Sequence, residues 1–165
     1  MIAPGSFTVV DNRGRQRFLV DTKKPPIIIG GKTYPPEQRS GAPDDLSCLV
    51  FNADNGDEKG AIAVYSTGGI VSLDFANADG VHLETSWEGS VGGAVLQLRH
   101  MPDPALPPEQ ARNPVGAVLA AHSESGSSLQ LCDPAGKPRL SVRVAMDGRP
   151  SIAFLDERGE VVKEL

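Results

Sequence analysis

Apolar side chains recur at every second position along most of this chain, and that period limits the folds open to it. In VSLDF, Val71, Leu73 and Phe75 share a face while Ser72 and Asp74 point the other way. In VHLETSW, Val81, Leu83, Thr85 and Trp87 alternate with His82, Glu84 and Ser86. In RLSVRVAM, Leu140, Val142, Val144 and Met146 alternate with Ser141, Arg143 and Ala145. Successive side chains of a strand project to opposite faces, so this is the pattern of a strand with one face on a core and one in water. No comparable helical stripe is present, and the chain reads as all-β.

Between these stretches stands a recurring tetrapeptide: a short polar residue, two variable residues, then glycine. It occurs as Asp11–Gly14, Ser66–Gly69, Asn77–Gly80, Ser123–Gly126, Asp133–Gly136 and Asp156–Gly159. A type I turn favours Asp, Asn or Ser at its first position, where the side chain bonds the backbone ahead, and Gly at its fourth. Asp147-Gly148 and Asn55-Gly56 fit the tighter two-residue hairpin turn. The aspartates are therefore read as folding the chain back rather than as a catalytic set. Strands are expected at 6–11, 15–21, 47–52, 60–66, 70–76, 80–87, 93–100, 115–122, 127–132, 138–146, 150–155 and 160–164. Their spacing is that of an antiparallel meander of hairpins, closing as a barrel or packing as two sheets.

Two segments break the rhythm. Residues 23–46 and 101–114 are too long and too rich in proline for hairpin turns, and both contain Pro-Pro-Glu-Gln. Long loops in compact domains are often functional. Pro35, Pro36, Pro107, Pro108, Glu109 and Gln110 are accordingly the candidate interface residues. With 165 residues the chain is long enough for one domain, taken as 1–165. Many positions on the expected inner faces are Ala, Gly, Ser or Thr, which leaves the core of a single chain thin. Association of chains through sheet faces or edges would complete the burial.

The net charge of −5, with 16 basic residues spread along the chain, argues against nucleic acid as a partner. No apolar run approaches the ~20 residues of a membrane helix, and no signal peptide opens the sequence. Cys48 and Cys132 lie far apart without metal-ligand spacing, as expected of free thiols in a reducing compartment. These features point to a cytoplasmic protein.

Candidate site residues come from register. Pairing 80–87 with 93–100 so that apolar faces match puts Leu83 opposite Leu98, Glu84 opposite Gln97 and His82 opposite Arg99. His100 then falls opposite Val81, away from His82, so the histidines do not converge on a metal. His82, Glu84 and Arg99 form the outer-face cluster available to a ligand or a reaction, and Trp87 stands near the mouth of a barrel. Asn52, Asp54, Asp57 and Glu58 are the nearest approach to a calcium loop, but they lack the spaced acid that closes an EF-hand. No phosphate loop, nucleophile elbow or other motif implies a cofactor. The leading expectation is a non-catalytic structural or protein-interaction module that self-associates. Its alternatives are a small-ligand-binding β-barrel and an enzyme without a sequence-visible motif.

Overall fold

A computed structural model describes residues 5–38, 43–75, 78–103, 105–107 and 110–165. The alternating stretches form one antiparallel sheet built from β1 (Ser6–Val10), β2 (Gln16–Asp21), β5 (Ser47–Asn52), β6 (Glu58–Tyr65), β7 (Gly68–Phe75) and β8 (Ala78–Glu88). It continues through β9 (Val91–Arg99), β10 (Val115–His122), β11 (Gly126–Cys132), β12 (Pro138–Val144), β13 (Pro150–Leu155) and β14 (Val161–Glu164). All twelve strands lie in sequence order, each bonded to the next, with β1 and β14 at free edges. The meander is as the alternation predicts. It does not close into a barrel, so there is no barrel mouth for a ligand beside Trp87.

The segment 23–46 hides a further hairpin. β3 (Ile27–Ile29) and β4 (Lys32–Tyr34) pair antiparallel across Gly30-Gly31, and a short 3₁₀ turn follows at Pro36–Gln38. β3 lies against β6 of the main sheet. The Gly31 N–H donates to the Asp57 carboxylate at 2.8 Å, and Lys24 pairs with Asp44 at 3.2 Å. Pro25, within the segment, is buried.

This hairpin gives the sheet two unlike faces. Leu19, Cys48, Val50, Ala61 and Ala63 share one face of β2, β5 and β6 and are buried together with Leu46, which lies in the covering segment. We call this the lid side. On the opposite face of the same strands Phe18, Val20, Ile62 and Val64 are exposed. That open face continues across the sheet, where Leu73, Leu83, Leu98, Leu119, Leu129, Leu131, Ile152 and Phe154 are exposed as well. Among the described residues no large side chain is fully buried, and the buried hydrophobics are confined to the lid-side cluster.

Gly69 and Gly80 lie inside β7 and β8 rather than closing turns, and two further expectations about connections change. β8 and β9 are joined by only Gly89 and Ser90, so the register moves by two residues: Val81 faces Leu98, His82 faces Gln97 and Glu84 faces Val95. His82 is therefore not opposite Arg99. His100 lies beyond the end of β9, its N–H donating to Pro114 O at 2.9 Å. Asp147-Gly148 and Asn55-Gly56 are not two-residue turns. Ala145 N–H bonds Arg149 O and Gly148 N–H bonds Ala145 O, the pattern also made by Ala53–Asp57 and by Asp11–Arg15.

In the three aspartate turns the side chain completes the loop. Asp11 Oδ1 accepts from the N–H groups of Arg13 and Arg15 at 2.9 and 3.0 Å. Asp133 does the same with Ala135 and Lys137, and Asp156 with Arg158 and Glu160. The turns are also clasped in pairs. Arg15 Nη1 donates to Asp54 O in the adjacent turn at 2.6 Å, and Lys137 Nζ donates to Glu157 O at 3.1 Å.

Turn glycines differ in what surrounds them, which allows a test. Gly126 and Gly148 both hold positive φ, +80° and +83°. A methyl group on Gly126 would run into the Val144 carbonyl oxygen, whereas Gly148 has nothing within 4 Å. Gly148→Ala should cost about 1–2 kcal/mol, the price of left-handed backbone for an L-residue. Gly126→Ala should cost about 3 kcal/mol or more, because overpacking adds to that strain. Urea unfolding of the two variants checks the order.

Candidate functional site

A polar rung crosses the lid side next to the aspartate turns, and local irregularities of the ladder build it. Pairing of β5 with β6 shifts between Phe51 and Asn52, so Asn52 meets Glu58. Pairing of β7 with β8 shifts between Leu73 and Asp74, so Asp74 meets Asp79 across the extra residue Gly80. A bulge of this kind re-aims the side chains beyond it. Without it, Asp79 would share the open face with Val81. With it, Asp79 joins Asp74 and His82 on the lid side.

Here the carboxyls crowd. Asp74 is largely buried, its Oδ1 has no hydrogen-bond partner, and its carboxyl is pushed up to about 7. Burial is the main cause, and the neighbouring charges of Asp79 and Glu58 add to it. Beside it the imidazole of His82 bridges two carboxylates. Nδ1 lies 3.1 Å from Asp79 Oδ2 and Nε2 lies 3.2 Å from Glu84 Oε2. A neutral imidazole can donate through one nitrogen only, so both contacts are satisfied when the ring carries two protons or a carboxyl carries one. The loop 101–114 is tied to this region. Asn113 Nδ2 donates to Asp79 O at 3.4 Å, and Arg99 Nη1 donates to Asn113 O at 3.4 Å.

The structure therefore brings His82 and Glu84 together. Arg99 lies on the same face but turns to Gln97, to which its Nη2 donates at 2.8 Å. Trp87 belongs to the opposite face, half-exposed, across from Gly92. The acidic stretch proposed for calcium is engaged in building its own turn. Asn52 Nδ2 donates to Gly56 O, Asp57 accepts from Gly31 and Asn55, and Asp54 faces Arg13. Glu58 is buried at the polar rung. Among the described residues no group of three or more histidine, cysteine or acidic side chains is arranged to hold a metal ion. Pro35 and Pro36 are half-buried, Pro107 and Gln110 are exposed, and Pro108 and Glu109 lie outside the described residues.

Asp74 and Asp79 were not among the sequence-derived candidates. Gly80 after Asp79 is the trace of the bulge that brings them together, and it reads equally well as a turn glycine. Two grooves flank the cluster. One of 760 Å³ lies between His100, Met101, Ala111–Pro114 and the Pro134-Ala135 turn, and one of 160 Å³ lies between Glu84, Gly93, Ala120 and His122. Among the described residues no helix is long and apolar enough to cross a membrane. No protein-family model matches the chain, and no curated protein matches it either.

The carboxyls predict opposite pH limbs. Asp11 is lowered to about 2, chiefly by the backbone N–H of Arg15, and Asp133 and Asp156 are lowered by the equivalent bonds from Lys137 and Glu160. Their stabilisation is present above the unfolded value of about 3.9 and is lost as the pH falls towards the folded value. Asp74 acts the other way. The folded chain binds its proton more tightly than the unfolded chain, so stability falls as the pH rises from about 4 to about 7. Asp74→Asn should abolish that fall and, allowing for screening by water, stabilise the protein at pH 8 by on the order of 1–2 kcal/mol. Urea titrations at pH 5 and pH 8 measure this, and an unchanged pH slope would assign the titration to another group.

Proposed function

We propose that the chain is a non-catalytic structural module that works as a homo-oligomer, its sheet forming one layer of a core that other copies complete. The observation that carries this reading is surface area. The accessible surface is 10393 Å², whereas a compact monomer of 17.4 kDa exposes about 7,900 Å². The excess is roughly 2,500 Å² per chain, or about 5,000 Å² for a pair, at the upper end of what permanent subunit interfaces bury. A layered domain normally buries the apolar face of its sheet against a second layer. Here the lid segment does this for one face of β2, β5 and β6, with Ile70 of β7 packed at its margin. The use of the aspartates in turns and clasps supports a structural role rather than a catalytic one.

Light scattering should give a solution mass that is a multiple of 17.4 kDa. The unfolding temperature should rise with protein concentration, because association stabilises the folded chain by mass action. A single-copy mass with a concentration-independent transition would remove the proposal.

A further inference from the structure

The open face carries its large side chains in two rows that cross the strands. One row follows the pairing Phe7, Val20, Leu49, Ile62, Val71, Leu83, Leu96, Leu119, Leu129, Val142 and Ile152, one residue from each strand β1 to β13 of the main sheet. It reaches Leu165, which exchanges both backbone hydrogen bonds with Ile152. Every member is Phe, Val, Leu or Ile. The second row runs from Val9 and Phe18 through Leu73, Val81 and Leu98 to Leu140 and Phe154, and it stays uncharged until Lys163. The next positions outward are mostly small or polar, at Gly69, Thr85, Ala94, Ala121 and Ser127, with Val64 and Val144 adding apolar area at either end.

Resting on the oligomer reading above, we infer that these two rows form a seam that docks face to face on the same seam of a second copy. Twelve strands spaced about 4.8 Å apart make it roughly 50 Å long, and two rows about 7 Å apart make it narrow. The occupant has to be equally long, narrow and apolar, and another copy of this sheet has those dimensions. An interface in which one patch meets its own counterpart is the ordinary form of a two-fold contact. A membrane-spanning barrel does not fit, because such a sheet has to close on itself and this one ends at β1 and β14. Adjacent strands rotate by roughly 20–25°, so the paired seams stay in contact along their length by winding about a common axis.

Leu119 decides the matter, because it is 54% exposed in the single chain and central to the seam. In a Cys48→Ala, Cys132→Ser background, Leu119→Cys should react with a maleimide at least tenfold more slowly than Arg143→Cys on the opposite face. The difference should vanish in denaturing urea. Leu119→Lys should lower the mass by light scattering to a single copy, whereas Gln130→Lys on the lid side should leave it unchanged. Assembled protein in which both thiols react equally fast would overturn the seam and leave the oligomer reading standing. A single-copy mass for the unaltered chain would overturn both. Where Leu119→Lys does not fold, the labelling comparison still decides.

Discussion

Strand pairing satisfies the backbone but leaves each face of a sheet to find its own cover, and this constraint governs the rest of the structure. The ladder from β1 to β14 is unbroken, so the main-chain hydrogen bonds of the interior strands are met within the chain. Side-chain burial is not met in the same way. Val50 is 3% exposed beneath the lid hairpin, whereas Val64, on the open face of the next strand, is 57% exposed. The two residues differ in which face they occupy, not in kind. The hydrophobic effect acts on area removed from water. For most of this sheet that area is removed only when a further layer arrives.

The polar rung belongs to the same logic. Carboxyls next to the turns would be cheap in water, but the bulge at Gly80 turns Asp79 to the lid side beside Asp74, whose partly buried carboxyl then holds its proton towards neutral pH. His82 and Asn113 draw the β8 end of the cluster and the base of the 101–114 loop together. The cluster fixes how the long connection leaves the sheet, at the cost of crowding like charges.

Alternation and turn chemistry were enough to place all twelve main strands, because Val71-Leu73-Phe75 and Asp133-Pro-Ala-Gly136 each state a local preference that the fold obeys. What depends on pairing was harder to read. The register of β8 with β9 rests on whether two residues or five make the turn at Gly89, and both choices keep apolar residues on one face. The β3–β4 hairpin was signalled by Gly30-Gly31 between Ile-Ile-Ile and Lys-Thr-Tyr, but the prolines on either side masked it. Nor can alternation tell an inner face covered by the same chain from one left for another. Ala61 and Ala63 pack under the lid, while Leu83, Leu96 and Leu119 line the open face.

The sequential order of the strands has a consequence for how such a chain can change. Each strand is held by the strands beside it in sequence, so contacts are local and the sheet can grow by zippering from any hairpin. Adding or removing two strands returns the chain to the same edge and the same face. The length of the sheet is thereby free to vary while its polarity is not. A chain built in this way can be lengthened or shortened by whole hairpins without redesign of any remaining pair, as in repeat proteins whose units touch only their neighbours.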